Sequence, residues 1–290
     1  MKKAAVFILL GQSNAVGHGI PMENRDFITT PLKNVFGLNR KDNQSFDNTE
    51  LVWSGYTSFG MNLAEEQDNT YSVANCLASL WQEHIDKGNK NDLPDLYIIQ
   101  IAIGAQGITE KYMWYPEREK KLVPGVLGQV DISLCPFSNH IFSLLDSSFA
   151  KMGKGYETIG LHWRGGENDA DADDASLDVL YSTYRKMFDE FDRILHYPLI
   201  VLHKIVCGDR MTDLDKTGKF LENMHRINGV FDQLEELNQN ISVFDVRKFP
   251  QFVPSVRGNG LFIEDVAHFT PEVNRWVAGR IIEDYIKTHR

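Results

Sequence analysis

Cysteine is scarce in this chain. Cys76, Cys135 and Cys207 are the three present, far apart along 290 residues. No CxxC pair and no Cys/His ligand spacing occurs, which argues against a structural zinc site. A sparse, odd count fits a reducing compartment or thiols without a role. Basic runs are also missing. The net charge is −10, so the chain lacks the footprint of a nucleic-acid binder. No apolar run is long enough to cross a membrane. Repeats, low-complexity tracts and Pro/Gly-rich linkers are lacking too, so residues 1–290 read as one domain. Hydrophobic residues make up 42% and charged residues 24%, enough for a full core without disulfides. A neutral or modestly polar small ligand is the expected partner; oligomeric state is not indicated.

The N-terminus admits two readings. Lys2-Lys3 before Ala4 to Leu10 imitates a secretory leader, but the apolar run is at the lower limit for that role. A buried parallel strand is the better reading, with a cytoplasmic location expected and secretion the alternative. Leu96 to Ile103 is a further continuous apolar run, and Tyr156 to Trp163, Pro198 to Val206 and Ile241 to Val246 read as the remaining strands. Continuous runs of this kind mark strands buried on both faces. Between them, helical spacing predicts helices over about 71–87, from Ile141 to Met152, over 175–195, over 217–238, and after Thr270-Pro271. Residues 33–38 and 49–53 are expected to pair as a small hairpin. The acidic stretch Asp169 to Asp174 reads as a solvated helix start. Residues 105–137 read as a long loop of the kind that forms a lid or binding wall. Within it Trp114 and Tyr115 offer a stacking face for a sugar ring, with loop packing the commoner fate. Alternating strands and helices imply a mostly parallel α/β sheet with helices on both faces.

Ligands of such sheets bind beyond the carboxyl ends of the strands. The loops there carry Gly11-Gln12-Ser13-Asn14, Gly104, Gly165 to Asp169, Gly208 to Arg210, and Asp265 to His268. A serine on the sharp turn leaving a buried strand exposes its hydroxyl, as a nucleophile requires. Of nine histidines, His268 sits best to be its base. Asp265, three residues earlier on a turn, can hold the imidazole Nδ1–H and leave Nε2 for Ser13. His18 is too close along the chain to fold back readily. Backbone N–H groups of Ser13 and Gly104 suit an oxyanion, and Asn168 or Asn14 offers a side-chain amide. Glu167 reads as a structural acceptor or a salt-bridge partner of Arg164.

These residues resemble a known family. Gly11 to Gly17 is similar to the GQSN nucleophile block of the SGNH hydrolases, nearest to the sialate O-acetylesterase and carbohydrate esterase family 6 group. Ile103 to Gly107, Trp163 to Ala170 and Asp265 to Thr270 resemble its remaining three blocks, in the right order. The resemblance implies a flavodoxin-like three-layer α/β/α sandwich with a five-stranded parallel sheet. It implies a Ser13–His268–Asp265 mechanism without metal or cofactor, acting on small acyl esters, acetyl foremost, of a carbohydrate. Gln12, Asn14, Gly104, Arg164, Gly165, Glu167 and Asn168 fall in its oxyanion and substrate-binding blocks. Three positions depart, the first being Ala105, which stands where the family's second block has its second glycine. Gly165 stands where the family has a glutamine as side-chain oxyanion donor, and Arg164 replaces the preceding histidine. Asn168, Arg164 or water then remains to fill that role. A lipase- or thioesterase-like member of the superfamily, and a catalytically weak carbohydrate-binding protein, are the rival readings.

Overall fold

The computed structural model describes residues 3–18, 27–40, 50–64, 70–88, 93–112, 114–116, 123–125, 128–130, 139–153, 155–206, 217–254, 257–264 and 267–289. In chain order the elements are β1 (Ala4–Gly11), α1 (Ser13–Val16), β2 (Val35–Arg40), β3 (Leu51–Gly55), α2 (Val73–Asp86), β4 (Leu96–Ala102), β5 (Val123–Gly125), β6 (Gly128–Val130), α3 (Asn139–Lys151), β7 (Tyr156–Arg164), α4 (Asp174–Asp178), α5 (Leu180–Leu195), β8 (Ile200–His203), α6 (Lys219–Leu237), β9 (Ile241–Phe244) and α7 (Pro271–His289).

Every residue of β1 is buried. Ala4, Val6, Ile8 and Leu10 point into one core, Ala5, Phe7 and Leu9 into another. A strand with apolar neighbours on both faces has no polar side to show, which is why its sequence does not alternate. The first core is closed by α3, α5 and α6 through residues such as Phe149, Phe188 and Phe231. The second is closed by α2 and α7 through Leu77, Trp81, Val277 and Ile281. Three layers result. Local signals start the helices where they should: Ser72 and Asn75 form a capping box at α2, and the Thr270 hydroxyl accepts from Val273 N–H at 3.3 Å before α7. Among the described residues no helix is long and apolar enough to cross a membrane.

The sheet has seven strands in the order β3-β2-β4-β1-β7-β8-β9, not the five expected. The expected hairpin forms, with Phe36 opposite Gly55 and Leu38 opposite Trp53. Its first strand also lies parallel to β4, pairing Val35, Phe36 and Gly37 with Leu96, Tyr97 and Ile98. That extends the sheet by two strands, of which β3 alone is antiparallel. A half-exposed edge strand needs no long apolar run, so its membership of the main sheet left no mark. The predicted helix over 175–195 is likewise two, α4 and α5, divided at Val179 (φ −98°, ψ 3°).

Leaving the hairpin aside, β4-β1-β7-β8-β9 has the 2-1-3-4-5 order of doubly wound sheets, with its winding reversal between β1 and β7. There the two strand ends touch: Gly11 pairs with Arg164. Gly11 takes φ +139°, and a Cβ on it would collide with the Arg164 carbonyl. Gly11→Ala combines that clash with backbone strain, so it should cost roughly 2–6 kcal/mol, read as a lowered denaturation midpoint. A midpoint within error of wild type would show that the strand end can relax.

Candidate active site at the β1–β7 switch point

A pocket of about 200 Å³ opens at this crevice. Gln12, Ser13 and Asn14 reach it from the turn after β1, Glu167, Asn168 and Asp171 from the loop after β7, and Ala267 and His268 from the segment before α7. Ile205, Val206 and Phe220 form an apolar wall. The structure therefore brings Ser13 and His268 together, with Gln12, Asn14, Glu167 and Asn168 around them. Gly104, Arg164 and Gly165 are buried and do not line the pocket. Asp265 and the expected loop Gly208 to Arg210 lie outside the described residues.

Asn14 assembles the site. Its Nδ2 donates to Glu167 Oε1 at 3.1 Å and to the Ala267 carbonyl at 3.3 Å. Its Oδ1 accepts from Phe269 N–H at 3.1 Å. Those two backbone contacts flank His268, so one amide holds the imidazole's loop beside the serine turn. Glu167 serves as an acceptor, as one reading of the sequence had it.

Arg164 works from behind the pocket. Its NH1 donates to the Asn14 carbonyl at 3.2 Å and to Asn274 Oδ1 on α7 at 2.7 Å, with the guanidinium 4.8 Å above the Phe269 ring. Burial pulls its pKa down to about 10, and the Glu167 charge opposes that shift. Its Nε and NH2 have no hydrogen-bond partner among the described residues. Facing α7, it is not positioned as the donor the sequence left open.

One sequence expectation is corrected and one choice is decided. Asp169 is not part of a solvated helix start but is fully buried. Its carboxylate accepts from Ile108 N–H at 3.0 Å, Thr109 N–H at 2.9 Å and Thr109 Oγ1 at 2.9 Å, pinning the chain that follows β4. The other acids of the stretch, Asp171, Asp173 and Asp174, are exposed, and Asp173 caps α4 through Ser176 N–H. Trp114 takes the loop-packing course that the sequence favoured over sugar stacking. It is fully buried, edge-on to Trp163 at 5.0 Å, with Nε1 donating to the Gly11 carbonyl at 3.1 Å. Sequence reasoning also missed His18. The four-residue α1 ends at Gly17 in the left-handed region, and the returning chain sets the His18 ring 6.1 Å from that of His268. The apolar wall was missed as well; its signal was Ile205 and Val206 at the carboxyl end of a predicted strand.

A larger cavity, about 400 Å³, lies between α7 and the β7–β9 strands. His162 at its floor has its pKa pushed down to about 3 by burial, and its Nδ1 lies 2.9 Å from His203 Nε2. It is a neutral core histidine, its ring paired with that of His203.

No protein-family model and no curated protein matches the chain. Solved structures do. NanS superposes with a TM-score of 0.63 over 99% of this chain and 98% of its own, at 15% identity. A protein from Arabidopsis thaliana gives 0.60 over 98% of both chains, also at 15%. The chain shares their fold. A carbohydrate acetylesterase from Xanthomonas citri gives 0.51 at 10% identity, over 98% of this chain and 57% of that one.

Asp169 generates a pH prediction. Burial raises its pKa from 3.8 to about 6, with hydrogen bonds from Thr109 and Ile108 pulling the other way. Between those values the folded chain holds more protons than the unfolded one, so this group's stabilising contribution is full below 3.8 and is lost as pH rises through 6. The change is on the order of 3 kcal/mol. In urea melts, wild type should gain stability relative to Asp169→Asn as pH falls from about 7 to about 4.5, across the window that the two pKa values set. A pH-independent difference between the two would show that Asp169 does not titrate there.

Proposed function

We propose that the protein is a serine esterase of the SGNH hydrolase type, removing small acyl groups, acetyl foremost, from a carbohydrate. One observation carries the reading: Ser13, on the turn after the central strand, and His268, on the segment before the last helix, open into one pocket at the sheet's switch point. Ser13 attacks the ester carbonyl while His268 takes its proton and returns it to the departing sugar oxygen. Asp265, three residues before His268, is assigned to orient the imidazole. The chemistry calls for no metal or organic cofactor. The short apolar wall of Ile205, Val206 and Phe220 in a pocket of about 200 Å³ suits an acetyl-sized group better than a fatty acyl chain. Likeness of fold to a carbohydrate acetylesterase supports the choice of substrate class.

Wild type should hydrolyse p-nitrophenyl acetate and acetylated sugars, and Ser13→Ala should lower kcat by about 10⁴-fold or more. His268→Ala should lose a comparable factor. Equal, background-level rates for wild type and Ser13→Ala would sink the esterase reading and leave a carbohydrate-binding protein.

A further inference from the structure

The oxyanion of an ester's tetrahedral intermediate needs fixed donors, and the position that supplies the side-chain donor in the resembled family is here Gly165. A Cβ on Gly165 would stand 3.0 Å from the Trp163 ring, so a side chain there would require that ring to shift. Asn14 cannot fill it, because both ends of its amide are committed to Glu167, Ala267 and Phe269. Arg164 faces Asn274.

Gln12 remains. It precedes Ser13, lines the same pocket and is only 3% exposed. Its Oε1 accepts from Gly166 N–H and from Asn168 N–H, each at 3.4 Å. A primary amide whose carbonyl is held by two donors has its NH₂ left to give. No described residue accepts from that NH₂, and it is not sealed in the core.

We infer that the Gln12 amide is the side-chain oxyanion donor, supplied from the turn after β1 rather than from the loop after β7. The inference rests on the esterase reading of Ser13. As the Ser13 Oγ–carbon bond forms, the carbonyl π pair moves onto oxygen and Gln12 Nε2–H donates to it. Collapse restores the carbonyl and breaks the bond to the sugar oxygen, which takes the proton held by His268. The clamp on Oε1 matters because a donor fixed beforehand costs no reorganisation when charge develops. Asn168 also lines the pocket, but its side chain lies against the Tyr112 hydroxyl, and among the described residues no pair of backbone N–H groups holds its carbonyl.

Gln12→Glu separates the two ends of this side chain. It keeps an acceptor for Gly166 and Asn168 and deletes the donor. Gln12→Met deletes the donor without adding charge. Steady-state kinetics on an acetyl ester should show kcat reduced about 10²–10³-fold in both, with KM within about threefold of wild type. The melting temperature should hold in Gln12→Glu. Wild-type kcat in Gln12→Glu overturns the proposal. So does near-wild-type kcat in Gln12→Met with a loss in Gln12→Glu, since that pattern reports added charge alone. A loss confined to Asn168→Ala would move the role to Asn168 and overturn it too. Ser13→Ala, run alongside, tells the failures apart: if wild type has no Ser13-dependent turnover, the esterase reading has failed first.

Discussion

The site depends on one side-chain amide bridging the two ends of the chain. Asn14 stands 253 residues from Ala267 and 255 from Phe269, yet it bonds to the backbone on both sides of His268. A loop histidine that has to meet a serine at the opposite terminus needs such a tether, since its own helix starts only at Pro271. The buried amide pays for its desolvation by using both polar ends. Glu167 joins through the same Nδ2, so three separate segments converge on one side chain. Register of the site is thus set by hydrogen bonds as well as by the sheet.

Behind that amide sits a buried cation. Arg164 bonds to the Asn14 carbonyl and to Asn274, and Asn274 in turn donates to the Tyr71 carbonyl at 2.9 Å. The serine turn, the last helix and the chain entering α2 are therefore stitched together beneath the pocket. A fully buried guanidinium is costly unless compensated, and the Glu167 charge nearby provides part of that compensation. The histidine-to-arginine change against the resembled family reads as a change in how the site is supported.

Some of this was legible in the sequence. The β1 and β4 strands showed because burial on both faces leaves unbroken apolar runs, and Ser13 and His268 showed because they fall at strand and helix ends. The β2–β3 hairpin's place in the sheet did not show, since edge pairing through the Val35–Gly37 backbone leaves no side-chain signature. Asp169 was misread because the acids around it are solvated; what separates it is the pair of backbone N–H groups at Ile108 and Thr109, which come from a segment about 60 residues away. Trp114 was open to two readings, and one hydrogen bond to a strand-end carbonyl decided between them.

That hydrogen bond has a dynamic consequence. The Gly11 carbonyl accepts from both Trp114 Nε1 and Ile103 N–H, the latter at 3.0 Å, while Gln12 N–H donates to the Arg164 carbonyl at 3.0 Å. All the hydrogen-bonding capacity of the peptide unit joining Gly11 to Gln12 is occupied. A peptide-plane flip there would break three bonds at once, each worth about 1 kcal/mol net and more when left unmade in a buried place. Glycine at position 11 would otherwise make this the easiest plane in the turn to rotate. The indole, 103 residues away, acts as a latch on the conformational freedom that the glycine brings with it.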